Sequence, residues 1–332
     1  MLRSMYSGIS GLKNFQTKLD VIGNNISNVN TFGFKKSRVT FKDMINQSVA
    51  GASSPTALKG GTNPMQVGLG SSISAIDTVQ TQGNLQSTGR LLDLAISGDG
   101  YFVVANGSPG NMDLEQDDGI QKSIGTEMSY TRAGNFYLDS EGYLVNVDGL
   151  YVAGINATFD GETYEMPGND EIFDDEGAFT AGYPQTIKIP TTAKDMSIGA
   201  DGTVTYISGE YAEEDGTTIP FEEVDVDGEY AINPGDLVVA GKLILSKFAN
   251  TGGLQKSGNN LFVPSPNSGN PVYAFSGESG TGAVAASTLE MSNVDLSEEF
   301  TEMIVAQRGF QANTRIITTS DEILQELVNL KR

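Results

Sequence analysis

Asp295-Leu-Ser-Glu-Glu-Phe300-Thr-Glu-Met303-Ile-Val-Ala-Gln-Arg-Gly-Phe310-Gln-Ala-Asn-Thr-Arg-Ile-Ile317-Thr-Thr-Ser-Asp-Glu-Ile-Leu324-Gln-Glu-Leu327-Val-Asn-Leu330 is the stretch that decides the fold. Met303, Phe310, Ile317 and Leu324 recur every seven residues, with Phe300, Ile304, Ile316, Ile323, Leu327 and Val328 beside them. An apolar column at period seven stays on one face of an α-helix and favours a left-handed supercoil with a partner helix. Asp295 followed by Glu298 predicts an N-cap with its return partner, and Glu299 and Glu302 suit the positive end of the helix dipole. Lys331 and Arg332 suit the other end. At about 1.5 Å per residue the helix would be roughly 50 Å long, longer than a small domain is wide. It needs a surface to lie against.

The opposite terminus supplies one. Leu2, Met5, Ile9, Leu12, Phe15, Leu19, Ile22, Ile26 and Val29 follow one another in steps of three or four, the spacing of one helix face. Such helices most often pack on an ordinary globular core; the alternative is a pair that closes as a coiled coil only when many chains assemble. Two features favour assembly. Gly8, Gly11 and Gly23 each disfavour the first helix by about 1 kcal/mol relative to Ala. The run Ile316-Ile317-Thr318-Thr319 loses rotamer freedom in the last one. The expectation is termini that are largely unfolded in the monomer and ordered in a polymer.

The chain between has a different character. Forty glycines and 38% apolar residues suit turn-rich β domains, and 332 residues leave room for two or three of them. Cysteine and histidine are both absent, which removes disulfides, thiolate metal sites and the commonest general base and zinc ligand. The start, Met1-Leu-Arg-Ser-Met-Tyr-Ser-Gly, lacks the layout of a cleaved secretory signal, and no apolar run is long enough to span a bilayer. This leaves a cytosolic protein, or one exported without cleavage. The net charge of −22 divides into +6 over residues 1–59 and −28 over the rest. An acidic body argues against nucleic-acid binding. The basic group Lys35, Lys36, Arg38 and Lys42 reads as a solvated or subunit-contacting face, because a duplex binder needs a broader positive field.

Taken in order, the first helix should stop near Asn24-Asn25-Ile26-Ser27-Asn28-Val29-Asn30, because asparagines compete with the helix backbone. An extended segment follows at Arg38-Val39-Thr40-Phe41. Residues 49–72 are rich in Gly, Ser and Pro and read as a linker or irregular arm. From Ser74 onward short strands separated by Gly-containing turns dominate, among them Tyr101-Phe102-Val103-Val104, Tyr143-Leu144-Val145, Thr203 to Tyr206 and Val238 to Phe248. The fold class is therefore α+β, with terminal α-helices around an antiparallel β-rich middle.

Residues 133–187 and 195–241 contain no Lys or Arg and read as surface elaborations. Asp225-Val-Asp227-Gly228 looks like part of a calcium loop, but Pro234 stands where the bidentate Glu is needed, so solvated acidic turns are the better reading. Paired carboxylates such as Asp117 and Asp118, or Asp174 and Asp175, carry little weight as a glycosidase pair among forty-two acidic residues. Neighbouring strand residues also point to opposite faces. No nucleophile motif or phosphate loop is present. The reading is a non-enzyme without metal or cofactor.

Three groups of residues carry a resemblance. They are Leu19-Asp-Val-Ile-Gly-Asn24-Asn25-Ile-Ser-Asn28-Val-Asn-Thr31-Phe-Gly33-Phe34-Lys35; then Ser97 to Phe102 with Tyr130-Thr131-Arg132-Ala133-Gly134-Asn135-Phe136; then Met291 to Leu296 with Met303 to Arg308. With them the chain resembles the bacterial flagellar rod–hook family, most closely its Gram-positive hook branch. The resemblance implies terminal helices (1–32 and 292–332) innermost around a channel, and an extended arm over 33–73. It implies a β-rich middle domain (74–155 and 237–291) and an inserted acidic outer region (156–236), part of which, near 186–207, belongs to the middle domain. It implies polymerisation through Leu2, Met5, Ile9, Leu12, Phe15, Leu19, Ile22, Ile26, Phe300, Met303, Phe310, Ile317, Leu324 and Leu327, with Asn24, Asn25, Asn28, Thr31, Gly33 and Phe34 as family signature. The partners it implies are further copies of the chain, rod, hook-cap and hook–filament junction proteins, and the flagellar type III export apparatus, with no nucleic acid and no membrane span. The function expected is a subunit of the flexible hook, or alternatively of the distal rod.

Overall fold

The computed structural model describes residues 2–55, 59–107, 114–117, 120–123, 128–156, 158–159, 164–165, 184–209, 211–212, 218–219 and 235–330. Most of the acidic outer region, with Asp174, Asp175, Glu222, Glu223, Asp225 and Asp227, lies outside them, as do Asp118, Lys331 and Arg332. The chain divides into two units, one of residues 1–30, 35–80 and 293–332, the other of residues 31–34 and 81–292.

The first unit contains helix α1 (Leu2–Ser27) and helix α2 (Leu296–Leu330). Asp295 caps α2 as its sequence requires: its Oδ1 accepts the amides of Ser297 (2.8 Å) and Glu298 (3.4 Å). The return half of the capping box does not form. The Glu298 carboxylate instead accepts Lys36 Nζ at 2.7 Å, a charge-assisted bond that a backbone amide does not match. At the end of α1 the Asn28 side chain donates at 2.9 Å to the Asn24 carbonyl, which also accepts the Asn28 amide at 3.2 Å.

Between the helices in sequence, the expected irregular arm is replaced by strands. β1 (Ser37–Asp43) and β4 (Ser71–Thr78) form an antiparallel ribbon with Val39 opposite Ile76 and an irregularity at Thr40/Phe41. β2 (Asn46–Ala50) and β3 (Met65–Gly68) pair as an outlying hairpin with Gln47 opposite Val67. The hairpin is exposed on both faces, so its sequence carries no in–out alternation from which strands can be read. Residues 35–80 thus belong with the helices, while Thr31–Phe34 belongs to the β-rich unit.

The second unit is built on Tyr101–Ala105, a strand buried along its whole length. It pairs antiparallel with Met128–Thr131 on one side, and with parts of Tyr151–Asn156 and Leu237–Lys247 on the other. Its alternate side chains enter different cores. Tyr101, Val103 and Ala105 join Tyr130, Phe248, Phe262, Tyr273 and Phe275. Phe102 and Val104 join Leu94, Phe136, Leu243 and Leu245, together with Ile187, Ile189, Ile198 and Val204. Burial on both faces explains the unbroken apolar run that the sequence shows there. Residues 187–204 therefore contribute to this core rather than to a separate outer layer.

Candidate assembly surface

The helices of the first unit run antiparallel, with Gly8 beside Ile317 and Asn313, Gly11 beside Asn313, and Phe15 over Gly309. Gly8 and Gly11, which weaken an isolated helix, are notches that let α2 approach. A Cβ on Gly11 would lie 2.9 Å from Asn313 Nδ2, and one on Gly309 would lie 2.6 Å from the Phe15 ring. Gly23 meets nothing within 4 Å, so its cost to the helix has no packing return.

Met303, Phe310, Ile317 and Leu324 are each half-buried, with Ile317 packed on Gly8. Between them lies a second column four residues back: Glu299, Ala306 and Ser320 are buried and Asn313 is half-buried. Steps of four and three make the two columns a coiled-coil seam, but one of its columns is small or polar. The apolar periodicity singles out only the other. The missing column was visible in the spacing of Glu299, Ala306, Asn313 and Ser320, once polar residues are admitted to a seam.

The polar positions find partners within the unit. Glu299 Oε2 accepts Asn25 Nδ2 at 3.1 Å, and Lys18 pairs with Glu302 at 3.0 Å. Asn25, 1% exposed, also accepts the Ser37 amide (3.0 Å) and donates to the Ser37 carbonyl (2.9 Å). Asn293 does the same for the ribbon's other side: it accepts the Lys36 amide at 2.7 Å and donates to the Val79 carbonyl at 2.9 Å. Asn14 donates to Ser71 Oγ at 2.9 Å, and Phe15 stands 6.2 Å from the Phe41 ring. The positive charge at residues 35–42 is divided: Lys35 is buried and Lys36 pairs with Glu298, while Arg38, 3.8 Å from Asp77, and Lys42 are exposed.

The remaining apolar residues of the helices face outward. Phe300 is 49% exposed, Ile304 59%, Ile323 43% and Leu327 47%, joined by Val305, Ile316, Val328, Leu330 and, on α1, Tyr6 and Ile9. The expected assembly residues therefore fall into two sets. Met5, Leu12, Phe15, Leu19, Ile22, Ile26, Met303, Phe310, Ile317 and Leu324 are half-buried or buried, while Ile9, Phe300 and Leu327 are exposed. Leu2 lies in α1, but its side chain is outside the described residues. Of the signature, Asn25 ties the ribbon, Asn24 and Asn28 close α1, and Thr31, Gly33 and Phe34 sit in the second unit. There Gly33 takes φ +69° with its α-carbon against Ala133, and the Lys256 ammonium stands 4.7 Å from the Phe34 ring. Burial lowers the pKa of Lys256.

Among the described residues no group of three or more acidic, His or Cys side chains is placed to hold a metal, and no helix is long and apolar enough to cross a membrane. What the arrangement offers chemically is a helix pair whose outer faces are apolar and open.

Three family models match the chain: Flagella basal body rod protein over residues 5–35, Flagellar hook protein FlgE/F/G D1 domain over 119–206, and Flagellar basal body rod FlgEFG protein C-terminal over 285–330. The flagellar basal-body rod protein FlgG of Bacillus subtilis (strain 168) is 50% identical, with all of both chains covered. The flagellar hook protein FlgE of Borreliella burgdorferi is 34% identical over the whole of both chains, and that of Treponema pallidum 30%. A crystal structure of the Helicobacter pylori flagellar hook protein FlgE2 aligns at 12% identity over 62% of this chain and all of that one, with a TM-score of 0.34. Helices at both termini, an antiparallel β-rich body and the full-length rod and hook relatives at 30–50% identity place the chain in the flagellar rod–hook family of axial structural proteins.

Proposed function

We propose that this chain polymerises with copies of itself into a tube of the flagellar axis, and that the tube is the hook, the flexible coupling between rod and filament. The observation that carries the assembly reading is the number of apolar side chains left exposed along α2, Phe300, Ile304, Val305, Ile316, Ile323 and Leu327. Exposed apolar surface of this kind on one helix marks an interaction site. The side chains lie on more than one flank, and Leu327 continues the column of Glu299, Ala306, Asn313 and Ser320, so identical helices from neighbouring copies complete them.

In this reading the helix pair forms the inner wall and gives the tube its rigidity. The β2–β3 hairpin, marginal as an isolated two-stranded element, gains its support from neighbours. Acidic outer surfaces keep lateral contacts wet and sensitive to ionic strength. The further partners are the rod below, a cap and junction proteins above, and the flagellar type III export apparatus, which delivers the chain outside the cell without cleavage. The distal rod is a second reading, favoured by the rod-protein name of the Bacillus subtilis relative.

Purified chain brought to polymerising conditions and imaged by electron microscopy tests both levels. Curved, bendable tubes are the expected result, and straight, stiff tubes replace the hook by the rod. A chain that makes no ordered polymer in any condition removes the assembly reading altogether.

A further inference from the structure

The chain passes between its two units four times, at residues 30/31, 34/35, 80/81 and 292/293. Within the β-rich unit, three segments next to these crossings converge on one residue, two of them bonded through its side chain or its carbonyl. Glu290 is 1% exposed. Its Oε1 accepts the Gly83 amide at 2.8 Å, its Oε2 lies 3.2 Å from Arg132 Nη1, and its own carbonyl accepts the Gly33 amide at 2.8 Å. Gly33 lies within the 31–34 excursion, Gly83 follows the crossing at 80/81, and Glu290 precedes the last crossing. Next to it the Met291 amide donates to the Asn84 carbonyl at 2.8 Å.

Arg132 holds the carboxylate in place. Its Nη1 also reaches the Ile96 carbonyl (3.4 Å), its Nη2 donates to the Gly98 carbonyl (2.8 Å), and its guanidinium stands 5.3 Å from the Tyr101 ring centre. The side chain is 4% exposed and its Nε has no partner. A buried ion pair that leaves a donor open is a poor device for stability, since apolar residues of the same volume often do as well or better. What an Arg–carboxylate pair supplies that apolar residues do not is direction, because its fork fixes several groups in one geometry.

We infer that Glu290 and Arg132 are positioning residues: together they clamp the chain segments that lead out of the β-rich unit, so that a load on the terminal helices is received by the β body at this point. This rests on the axial-tube reading for its purpose, but the clamp itself belongs to the single chain. The Gly83 amide is held by the Glu290 side chain and the Gly33 amide by the Glu290 carbonyl, and neither glycine lies in a strand ladder. Their amides therefore report on the clamp.

The test is native-state amide exchange on the dilute monomer, comparing wild type with R132M/E290M, whose apolar pair fills the same space, and with E290Q, which strands the arginine. Gly83, bonded to the side chain, should exchange faster by about tenfold or more in both variants, and Gly33, bonded to the main-chain carbonyl that the clamp positions, should follow by about threefold or more, while Val103 and Leu245 in the core strands stay within about twofold of wild type. Acceleration spread evenly over all four amides is the mark of plain destabilisation and overturns the inference, as does unchanged protection at Gly33 and Gly83. R132K, which keeps the charge but not the fork, should also release the two glycines; full protection in that variant would show that charge alone suffices and would overturn the directional role. Since no step requires a polymer, failure here leaves the assembly reading standing, and failure to form tubes leaves this result intact.

Discussion

At the scale of single residues, glycines with opposite surroundings should respond with opposite signs. Gly33 has positive φ, and a Cβ there would lie 2.6 Å from the Ala133 amide nitrogen, a backbone atom that cannot swing aside. Gly33→Ala should therefore cost on the order of 1–3 kcal/mol. Gly23 lies inside α1 with open space where its Cβ would go, so Gly23→Ala should stabilise by about 0.5–1 kcal/mol. Urea titration followed by circular dichroism reads both shifts. The tyrosines of the β core give a pH dependence. Burial pushes the Tyr101 and Tyr273 phenols to about 12, and it pushes Tyr130, which shares a 2.7 Å bond with the Tyr273 hydroxyl, well above the ordinary 10. The folded body thus keeps protons that the unfolded chain releases. Their contribution to stability is whole below about pH 10 and falls as pH rises from there towards 12. The urea midpoint of the β core should drop across that window, and Tyr273→Phe should flatten the drop.

At the scale of elements, the two sets of apolar residues on α2 predict different failures. Phe310 lies on the seam side next to Gly309, which Phe15 covers, so Phe310→Asp should cost about 3 kcal/mol and remove what helicity this central stretch keeps in the monomer, where residues 316–330 are already open. Ile323 is 43% exposed, so Ile323→Asp should leave monomer helicity unchanged and abolish tubes. Circular dichroism with electron microscopy separates the two, and equal loss of helicity in both would contradict the assignment of faces. Much of this was legible in the chain. Met303, Phe310, Ile317 and Leu324 announce the helix and its inner side, and Tyr101 to Val104 announces a strand buried on both faces. The second column of the seam was legible only as a spacing, not as an apolar pattern. Glu299, Asn313 and Ser320 are residues that ordinarily face water, and only partners distant in sequence, such as Asn25, make them interior. The β2–β3 hairpin of residues 46–68 escaped because Gly, Ser and Pro mask the pattern where neither face is buried, whereas the extended reading of Arg38 to Phe41 falls in β1. Glu298 shows the same limit at a cap: its local bond lost to Lys36, a partner 262 residues away.

At the scale of the whole molecule, the β-rich unit has two cores of its own, whereas the first unit leaves much of its apolar surface open. A subunit of this kind is completed by its neighbours. Its terminal helices should be the least protected part of the monomer and among the most protected in the tube. The most direct measurement is amide exchange over residues 316–330 of α2, in dilute monomer and in the assembled tube. Exchange within seconds in the monomer and protection raised at least about a hundredfold in the tube are predicted. Equal protection in the two states would contradict the claim that other copies of the chain cover these helices.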